Sequence, residues 1–449
     1  MHRAVRDSSA CALIASTAAV LGGCAGGGAS GGDGSGPEAV RGRYILALGD
    51  SDLPSDPSSP YLLPRKPGAR DSLTIIQLPI REPTTPFAQA EVSSSALGSP
   101  GVLALSPDGR FAYVVETRGP APADAPRELA SLPMGDSFAT VDLTDPASPV
   151  VRGSAYIGPD PRAAAVDPTG SYLAIVTSKP REQLNIAPIS TSTGEAGEAF
   201  AWALAGLDDD SAAPTSVTWH PSGKALAVSL GERGEVMMYR FRAGADGLAM
   251  AAWGPPVKVG AQPIMGAFSK DGRFFVSLDA GASRAARDSQ PLGPGRLTVV
   301  RVAPDKLDAD EAAGRHEVVS TSETGIAPVG MALSPDGALI AVANTMVSVA
   351  TMDGSSPAQG GSVTLYTLQR DGRLTRHAES VLEAVPAGVS FDAAGRTVCV
   401  SQYASLDPQA SDGEVSFWEV VRVDGAPGLK QRPFYLGIGG GPHGALIVK

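Results

Sequence analysis

Seven prolines begin the same short phrase, and no other feature of the sequence constrains the fold as strongly. They recur at intervals of 49 to 65 residues, at Pro100, Pro161, Pro214, Pro263, Pro328, Pro386 and Pro442. In the first six phrases a turn begins six residues after the proline, at Ser106–Gly109, Asp167–Gly170, His220–Gly223, Ser269–Gly272, Ser334–Gly337 and Asp392–Gly395. Apolar segments flank each turn, so each phrase predicts an antiparallel hairpin.

The residues of the turns explain why the phrase recurs. In the turn Ser106–Gly109 the serine can bond the backbone ahead of it, Pro107 presets φ, and Gly109 accepts a left-handed conformation. Small residues such as Ala163–Ala165 precede the turns, which suits an innermost strand where several units converge. A unit of this length repeated along a chain indicates a radial or stacked array. We therefore predict an all-β fold, a seven-bladed β-propeller.

The two ends of the chain are predicted to complete one blade together. The seventh phrase ends with the chain at Lys449 and has no second strand after it. The apolar segment 43–48 can supply that strand, and segment 73–78 can follow it as the next one. Pairing the N-terminal strands with the C-terminal strand would close the ring and remove free sheet edges. Residues 41–449 are thus predicted to form a single domain.

The N-terminal residues predict export. A basic start and a short apolar stretch lead to Leu21-Gly-Gly-Cys24, which resembles the lipobox of bacterial lipoproteins. The resemblance implies a signal peptide over residues 1–23 and an acyl group such as palmitate on Cys24; an ordinary cleaved signal peptide is the alternative. Residues 24–40 are Gly-rich and predict a flexible tether. We expect a lipid-anchored monomer of the cell envelope, and Ala25 favours the outer membrane in a Gram-negative cell.

Composition excludes several classes of function. The net charge is −11 and Lys and Arg do not cluster, which argues against nucleic acid as a partner. Once Cys11 leaves with the signal peptide and Cys24 is acylated, Cys399 alone remains, so no disulfide is expected. It should be a small buried hydrophobic residue. No dinucleotide, phosphate-loop or zinc motif is present, and we expect neither a cofactor nor a metal.

At the level of the repeat, the chain resembles a known family. The phrases at residues 105–115 and 333–344 resemble those of the seven-bladed lactonase family, which includes 6-phosphogluconolactonase-like enzymes. The resemblance spans residues 41–449 and implies lactone hydrolysis at the mouth of the central channel. Tryptophan-aspartate repeat and TolB-like propellers share the same turn, so the resemblance is specific for the fold and weak for the activity.

Counting from the prolines places two rings of residues at that mouth. Antiparallel strands bring the start of each first strand and the end of each second strand to the face opposite the turns. The first ring holds the residue after each proline, namely Gly101, Arg162, Thr215, Ile264, Val329, Ala387 and His443. The second ring follows the second strands and holds Glu116, Thr177, Leu230, Asp279, Asn344 and Gln402, with Asp50 nearby. These two rings are called the channel mouth below.

The channel mouth offers the groups that a lactonase needs. His443 or Glu116 could activate water as a base, and Arg162 could stabilise the developing oxyanion. The alternative is that His443 and Arg162 only satisfy neighbouring backbone carbonyls. The remaining polar members of the rings are candidates for ligand binding, namely Asp279, Asn344, Gln402, Asp50 and Thr215.

Five long connections on the same face carry the second functional signal. They are the segments 117–136, 280–295, 345–361, 403–413 and 51–70, which would form a crescent-shaped wall beside the channel mouth. We therefore expect a membrane-anchored envelope lipoprotein that binds a small ligand or a protein on this face. One alternative function is hydrolysis of a non-phosphorylated lactone at the channel mouth, and another is a structural role in the envelope without a discrete ligand.

Overall fold

The computed structural model describes residues 40–51, 71–80, 85–93, 101–119, 128, 131–204, 207, 213–245, 247–281, 293–302, 315–346, 360–405, 413–439 and 441–449. These residues form strands and no α-helix. The predicted signal peptide and all of the predicted tether except Val40 lie outside them. In the described part of the chain, no apolar helix has the length needed to span a membrane.

The strands follow one another in short hairpins along the whole described chain. Their bounds are β1 Tyr44–Gly49, β2 Ser72–Gln77, β3 Ala88–Glu91, β4 Leu103–Leu105, β5 Phe111–Val115, β6 Ser137–Asp142, β7 Val150–Tyr156, β8 Ala163–Val166, β9 Tyr172–Val176, β10 Leu184–Pro188, β11 Phe200–Trp202, β12 Pro214–Trp219, β13 Ala225–Leu230, β14 Glu235–Gly244, β15 Gly247–Ala252, β16 Val257–Lys258, β17 Pro263–Phe268, β18 Phe274–Asp279, β19 Pro294–Arg301, β20 Glu317–Leu333, β21 Leu339–Met346, β22 Gly361–Leu368, β23 Leu374–Leu382, β24 Ala384–Phe391, β25 Thr397–Ser405, β26 Glu414–Val423, β27 Ala426–Gly437 and β28 Pro442–Val448.

These strands assemble into separate antiparallel sheets. Four of the sheets have four strands each, in the orders β28-β1-β2-β3, β4-β5-β6-β7, β8-β9-β10-β11 and β24-β25-β26-β27. A fifth runs β12-β13-β14-β15, with β16 also paired to β14. The sixth runs from β17 to β23 without interruption. The N-terminal strand β1 thus lies between β2 and the C-terminal strand β28.

The predicted turns are present in all six hairpins. In each turn the amide of the final glycine bonds the carbonyl of the first residue at 2.8 to 3.0 Å. All six glycines have φ between 68° and 75°, a conformation that glycine adopts without steric cost. The first residue bonds ahead as expected, since Asp167 Oδ1 accepts the amides of Ser171 and Tyr172 at 2.7 Å. The local chemistry of the phrase is therefore confirmed.

The long strand β20 explains the one large sheet. It pairs with β19 through its first half and with β21 through its second half, so it serves two hairpin units. Pro328, which the sequence pattern places at the start of a new strand, lies inside β20 and follows Ala327, whose φ is +50°. The strand continues through this point, so two hairpin units that the sequence pattern separates share β20.

The hydrophobic core is divided among the contacts between neighbouring sheets. One cluster joins Tyr44 and Leu46 to Tyr113 of the sheet β4–β7, and another joins Ile45 and Ile447 to the sheet β24–β27. Two further clusters join the sheet β8–β11 to the sheet β12–β15 and that sheet to β17–β23. A third lies within the sheet β17–β23, and a fourth joins it to the sheet β24–β27. Cys399 lies in the cluster that contains Ile45 and Ile447 and is fully buried, and this burial raises the pKa of its thiol. Neighbouring units along the chain are therefore packed against each other through these clusters.

Candidate functional site

A β-bulge follows the proline in five of the units. The register skips one residue after Pro214, Pro263, Pro328, Pro386 and Pro442. The skipped residues are members of the first ring, namely Thr215, Ile264, Val329, Ala387 and His443. Bulges turn a side chain out of the regular ladder and are frequent beside active sites. In five units, the phrase therefore contains a bulge that turns the side chain of the residue after the proline out of the ladder.

The register also brings the two rings together. Pro263 pairs with Asp279, Pro328 with Asn344, and Pro442 with Gly49, the neighbour of Asp50. Members of the two rings are thus adjacent, as expected from counting. Their side chains differ in character, since Ile264 and Val329 pack against hydrophobic clusters. The polar groups of the channel mouth are consequently grouped at particular units.

His443 is almost completely buried at its bulge. Only 2% of the residue is exposed. Burial lowers the pKa of His443 to about 4, and a hydrogen bond with the backbone of Gly441 offsets part of that effect. The imidazole is therefore neutral at neutral pH, the form that can accept a proton. A ligand would have to enter the packed edge of β28 to reach it.

Arg162 belongs to a small charged cluster. Its Nε and Nη2 donate to Asp160 Oδ2 at 2.8 and 2.6 Å. Arg118 Nη1 approaches Asp160 Oδ1 at 3.4 Å. The Asp160 side chain is 4% exposed, whereas those of Arg118 and Arg162 are 17% and 25% exposed. One buried carboxylate thus faces two partly exposed guanidinium groups, and the cluster has a net positive charge.

Glu116 is held by two hydroxyl groups. Ser93 Oγ donates to Oε1 at 2.6 Å, and Ser137 Oγ donates to Oε2 at 3.0 Å. These bonds tie the end of β5 to the start of β6 and to the segment after β3. Glu116 and Arg162 therefore bond different partners.

The second-ring candidates bond mainly to their own sheets. Asp279 accepts the amides of Gln262 and Gly281 at 2.8 and 2.6 Å. Asn344 Nδ2 donates to Ser362 and Thr364 at 3.1 Å, while its Oδ1 has no partner among the described residues.

Other candidates are similarly engaged. Thr215 Oγ1 donates to the carbonyl of Pro263 at 2.6 Å and so links two sheets. Gln402 Nε2 donates to Glu414 Oε1 at 2.5 Å, and burial raises the pKa of Glu414 although that bond lowers it in part. Asp50 is 4% exposed, and its amide bonds the carbonyl of Gly441. These side chains form a polar, largely buried layer at the ends of the strands.

Most of the predicted crescent lies outside the described residues. This holds for 52–70, 120–127, 129–130, 282–292, 347–359 and 406–412. Within the described ranges, no cluster of three or more His, Cys, Asp and Glu side chains could hold a metal ion.

Sequence reasoning missed the partners that orient the candidates. Asp160 and Arg118 determine the direction of Arg162, and Glu414 determines that of Gln402. The spacing Asp160-Pro-Arg162 was a usable signal, because it places a carboxylate two residues before the arginine. Arg118 lies beyond a strand end, and nothing in the sequence pairs it with Asp160.

Solved structures share this architecture at low sequence identity. A provisionally assigned 6-phosphogluconolactonase of Bacteroides fragilis aligns with TM-score 0.59 and 14% identity over 90% of this chain and 97% of its own. The periplasmic gluconolactonase of Pseudomonas aeruginosa aligns with TM-score 0.57 and 16% identity over 91% and 99%. The Swd1 β-propeller domain of Myceliophteria thermophila aligns with TM-score 0.53 and 10% identity over 84% and 100%.

These likenesses establish the fold. The chain is an all-β protein with the sheet arrangement of a β-propeller. Neither a protein-family model nor a curated protein sequence matches it.

Proposed function

We propose that residues 41–449 form a closed ring of seven blades. The seven proline-led phrases, the pairing of β28 with β1, and the core clusters on both sides of β1 support this arrangement. In such a ring the first strands surround a central channel, and the bulged residues after the prolines lie at its mouth.

The function that the geometry supports best is binding of a small oxygen-rich ligand, such as a sugar lactone, at the channel mouth. The cluster of Arg118, Asp160 and Arg162 carries the proposal. Asp160 fixes Arg162 through two hydrogen bonds and leaves other guanidinium N–H groups available. A fixed guanidinium beside a strand end can donate to a carbonyl or carboxylate oxygen without losing further side-chain entropy.

A neutral lactone analogue that does not hydrolyse tests this proposal. Binding of D-gluconolactam to the full-length chain is measured by titration calorimetry. Because a charge-assisted hydrogen bond is lost, Arg162→Gln should weaken binding by about tenfold. Arg152→Gln is the matched control, since Arg152 forms a similar ion pair with Asp142 away from the channel mouth. Equal affinity in wild type and Arg162→Gln, or no binding at all, would show that the cluster is structural.

Hydrolysis of a non-phosphorylated lactone is the second candidate function. Two similar folds carry gluconolactonase names, and His443 is neutral at the channel mouth. With His443 as base, the rate should remain constant down to about pH 5 and fall as the pH approaches about 4, where the imidazole becomes protonated.

Lactone turnover above the spontaneous rate is the decisive measurement. His443→Gln should abolish it, while Arg152→Gln should leave it intact. A wild-type rate equal to spontaneous hydrolysis across the pH range would leave ligand binding as the function. Turnover that survives in His443→Gln but not in Glu116→Gln would assign the base to Glu116.

We also propose that the chain is anchored in the bacterial envelope through an acyl group on Cys24. The lipobox-like segment 21–24 and the Gly-rich tether support this. Detergent partitioning of wild type and Cys24→Ala, expressed in a Gram-negative host, tests it. Wild type should enter the detergent phase and Cys24→Ala the aqueous phase. Identical partitioning would favour the ordinary signal peptide. On the anchored form, the predicted crescent would be the surface that binds a protein partner.

A further inference from the structure

A cleft between two neighbouring sheets includes the channel-mouth residue Asp279 in its lining. One wall is the end of β16 and the segment that follows it, and the other is the face of β18, β19 and β20. Its volume is about 460 Å³. That value falls within the range of about 300–1,000 Å³ that is usual for ligand sites.

Charged side chains form a row across this face. The register pairs Asp279 with Arg296 and Arg296 with Glu323, so the three lie side by side on adjacent strands. The next row toward the sheet centre pairs Thr298 with Thr321. All five side chains line the cleft. Cross-strand partners have Cβ atoms about 4.5–5.5 Å apart, so one small molecule can contact several of them.

Part of the cleft is fixed by hydrogen bonds within the protein. Both oxygens of Asp279 accept backbone amides, and Thr298 Oγ1 donates to the carbonyl of Val259 at 2.6 Å. Lys258 Nζ donates to the carbonyl of Arg233. A side chain at Gly260 would place its Cβ 1.6 Å from Asp279 Oδ2, so only glycine fits there. Asp279 and Thr298 therefore form a wall whose polar side chains are bonded within the protein, whereas the Lys258 side chain is largely exposed.

The other polar groups of the cleft are not used in this way. Arg296, Thr321 and Glu323 are exposed. Within the described ranges, none of the three side chains has an ion pair or a hydrogen-bond partner. Although Arg296 and Glu323 are register partners, they do not form a salt bridge with each other. The guanidinium of Arg296 therefore lies next to the carboxylate of Glu323 and the hydroxyl of Thr321 in the cleft, and none of the three is bonded to another described side chain.

We propose that this cleft binds a small polyhydroxylated carboxylate, such as a sugar acid. The guanidinium of Arg296 matches a carboxylate with two parallel hydrogen bonds. The carboxylate of Glu323 accepts hydrogen bonds from ligand hydroxyl groups, and Thr321 can donate or accept. The cleft's size suits an extended hydroxy acid. The site is separate from Arg162 and His443 and does not depend on the function proposed for the channel mouth.

Titration calorimetry of the full-length chain with D-gluconate tests the site. Arg296→Gln should weaken binding by about tenfold or more, because it removes the charge-assisted pair. Arg301→Gln is the matched control on the same strand, since Arg301 instead pairs with Glu317 at 2.9 Å, and it should bind as wild type does. The same Arg296→Gln variant should keep its affinity for D-gluconolactam, which separates this site from the channel mouth.

Acetate and alanine define the ligand class. Gluconate should bind more tightly than either, since acetate lacks hydroxyl groups and alanine carries an ammonium group. Equal affinity for acetate and gluconate, or tighter binding of alanine, would contradict the proposal that the ligand is a polyhydroxylated carboxylate. Gluconate binding that is absent in wild type or unchanged in Arg296→Gln would overturn the site.

Discussion

At the scale of single residues, the buried His443 makes the stability of the folded protein depend on pH. Its pKa falls from 6.5 to about 4 on folding because the imidazole is buried. The folded protein thus disfavours the charged form, and stability present above pH 6.5 is lost as the pH falls toward 4. The shift corresponds to about 3 kcal/mol in the free energy of unfolding. His443→Gln should therefore show a smaller loss between pH 7 and pH 4 in urea titrations.

The half-buried His377 is the matched control for that measurement. Burial also lowers its pKa, but His377 lies on the outer strand β23 and keeps more contact with solvent. His377→Gln should retain most of the wild-type pH dependence. An unchanged pH dependence in His443→Gln would contradict the assignment.

The residue scale also shows where sequence reasoning stops. The position of a residue along its strand can be predicted by counting from the proline of each phrase. Pro328 and Asn344 are paired, as the predicted positions of the two rings require. Side-chain direction depends on partners that counting cannot supply. Arg162 turns toward Asp160, and Asp279 is held by two amides. The sequence could not predict that Arg296 and Glu323 are neighbours, because only the register of β19 and β20 brings them together.

At the scale of elements, most hairpins could be predicted from the phrase. Turn chemistry is local, and each turn needs only its own residues to specify φ and the first hydrogen bond. The continuity of β20 could not be predicted, because it depends on Ala327 adopting a positive φ before Pro328. Proline normally interrupts a strand, but here β20 continues through Pro328 and belongs to two hairpin units.

The turn glycines allow a comparison of backbone strain with steric conflict. Gly337 and Gly272 have φ of 73° and 71°, so alanine at either position is strained. Around Gly337 a Cβ would meet nothing within 4 Å, whereas at Gly272 it would lie 2.2 Å from His220 Nε2. Gly337→Ala should cost about 1–2 kcal/mol of unfolding free energy from the left-handed conformation alone. Gly272→Ala should cost more, and equal losses in urea unfolding would contradict the steric argument.

At the scale of the whole molecule, the pair β1–β28 joins the first and the last strand of the described residues. The apolar segments at 43–48 and 442–448 indicated this pairing, because neither had a partner nearby in sequence. Every residue of β1 is buried, and its side chains enter core clusters on both sides. Export and lipid anchoring concern residues outside the described ranges and rest on the sequence.

If the ring is closed, a defect in β28 weakens the entire molecule. Ile447 is 2% exposed within the cluster that contains Phe417, so Ile447→Ala should cost about 2–5 kcal/mol by leaving a cavity. Val423→Ala, at a position 58% exposed, is the matched control and should cost little. Because closure makes all blades depend on this contact, calorimetry of Ile447→Ala should show one transition at a lower temperature. A split transition, with most of the molecule melting as in wild type, would indicate an open array in which the terminal strands unfold independently.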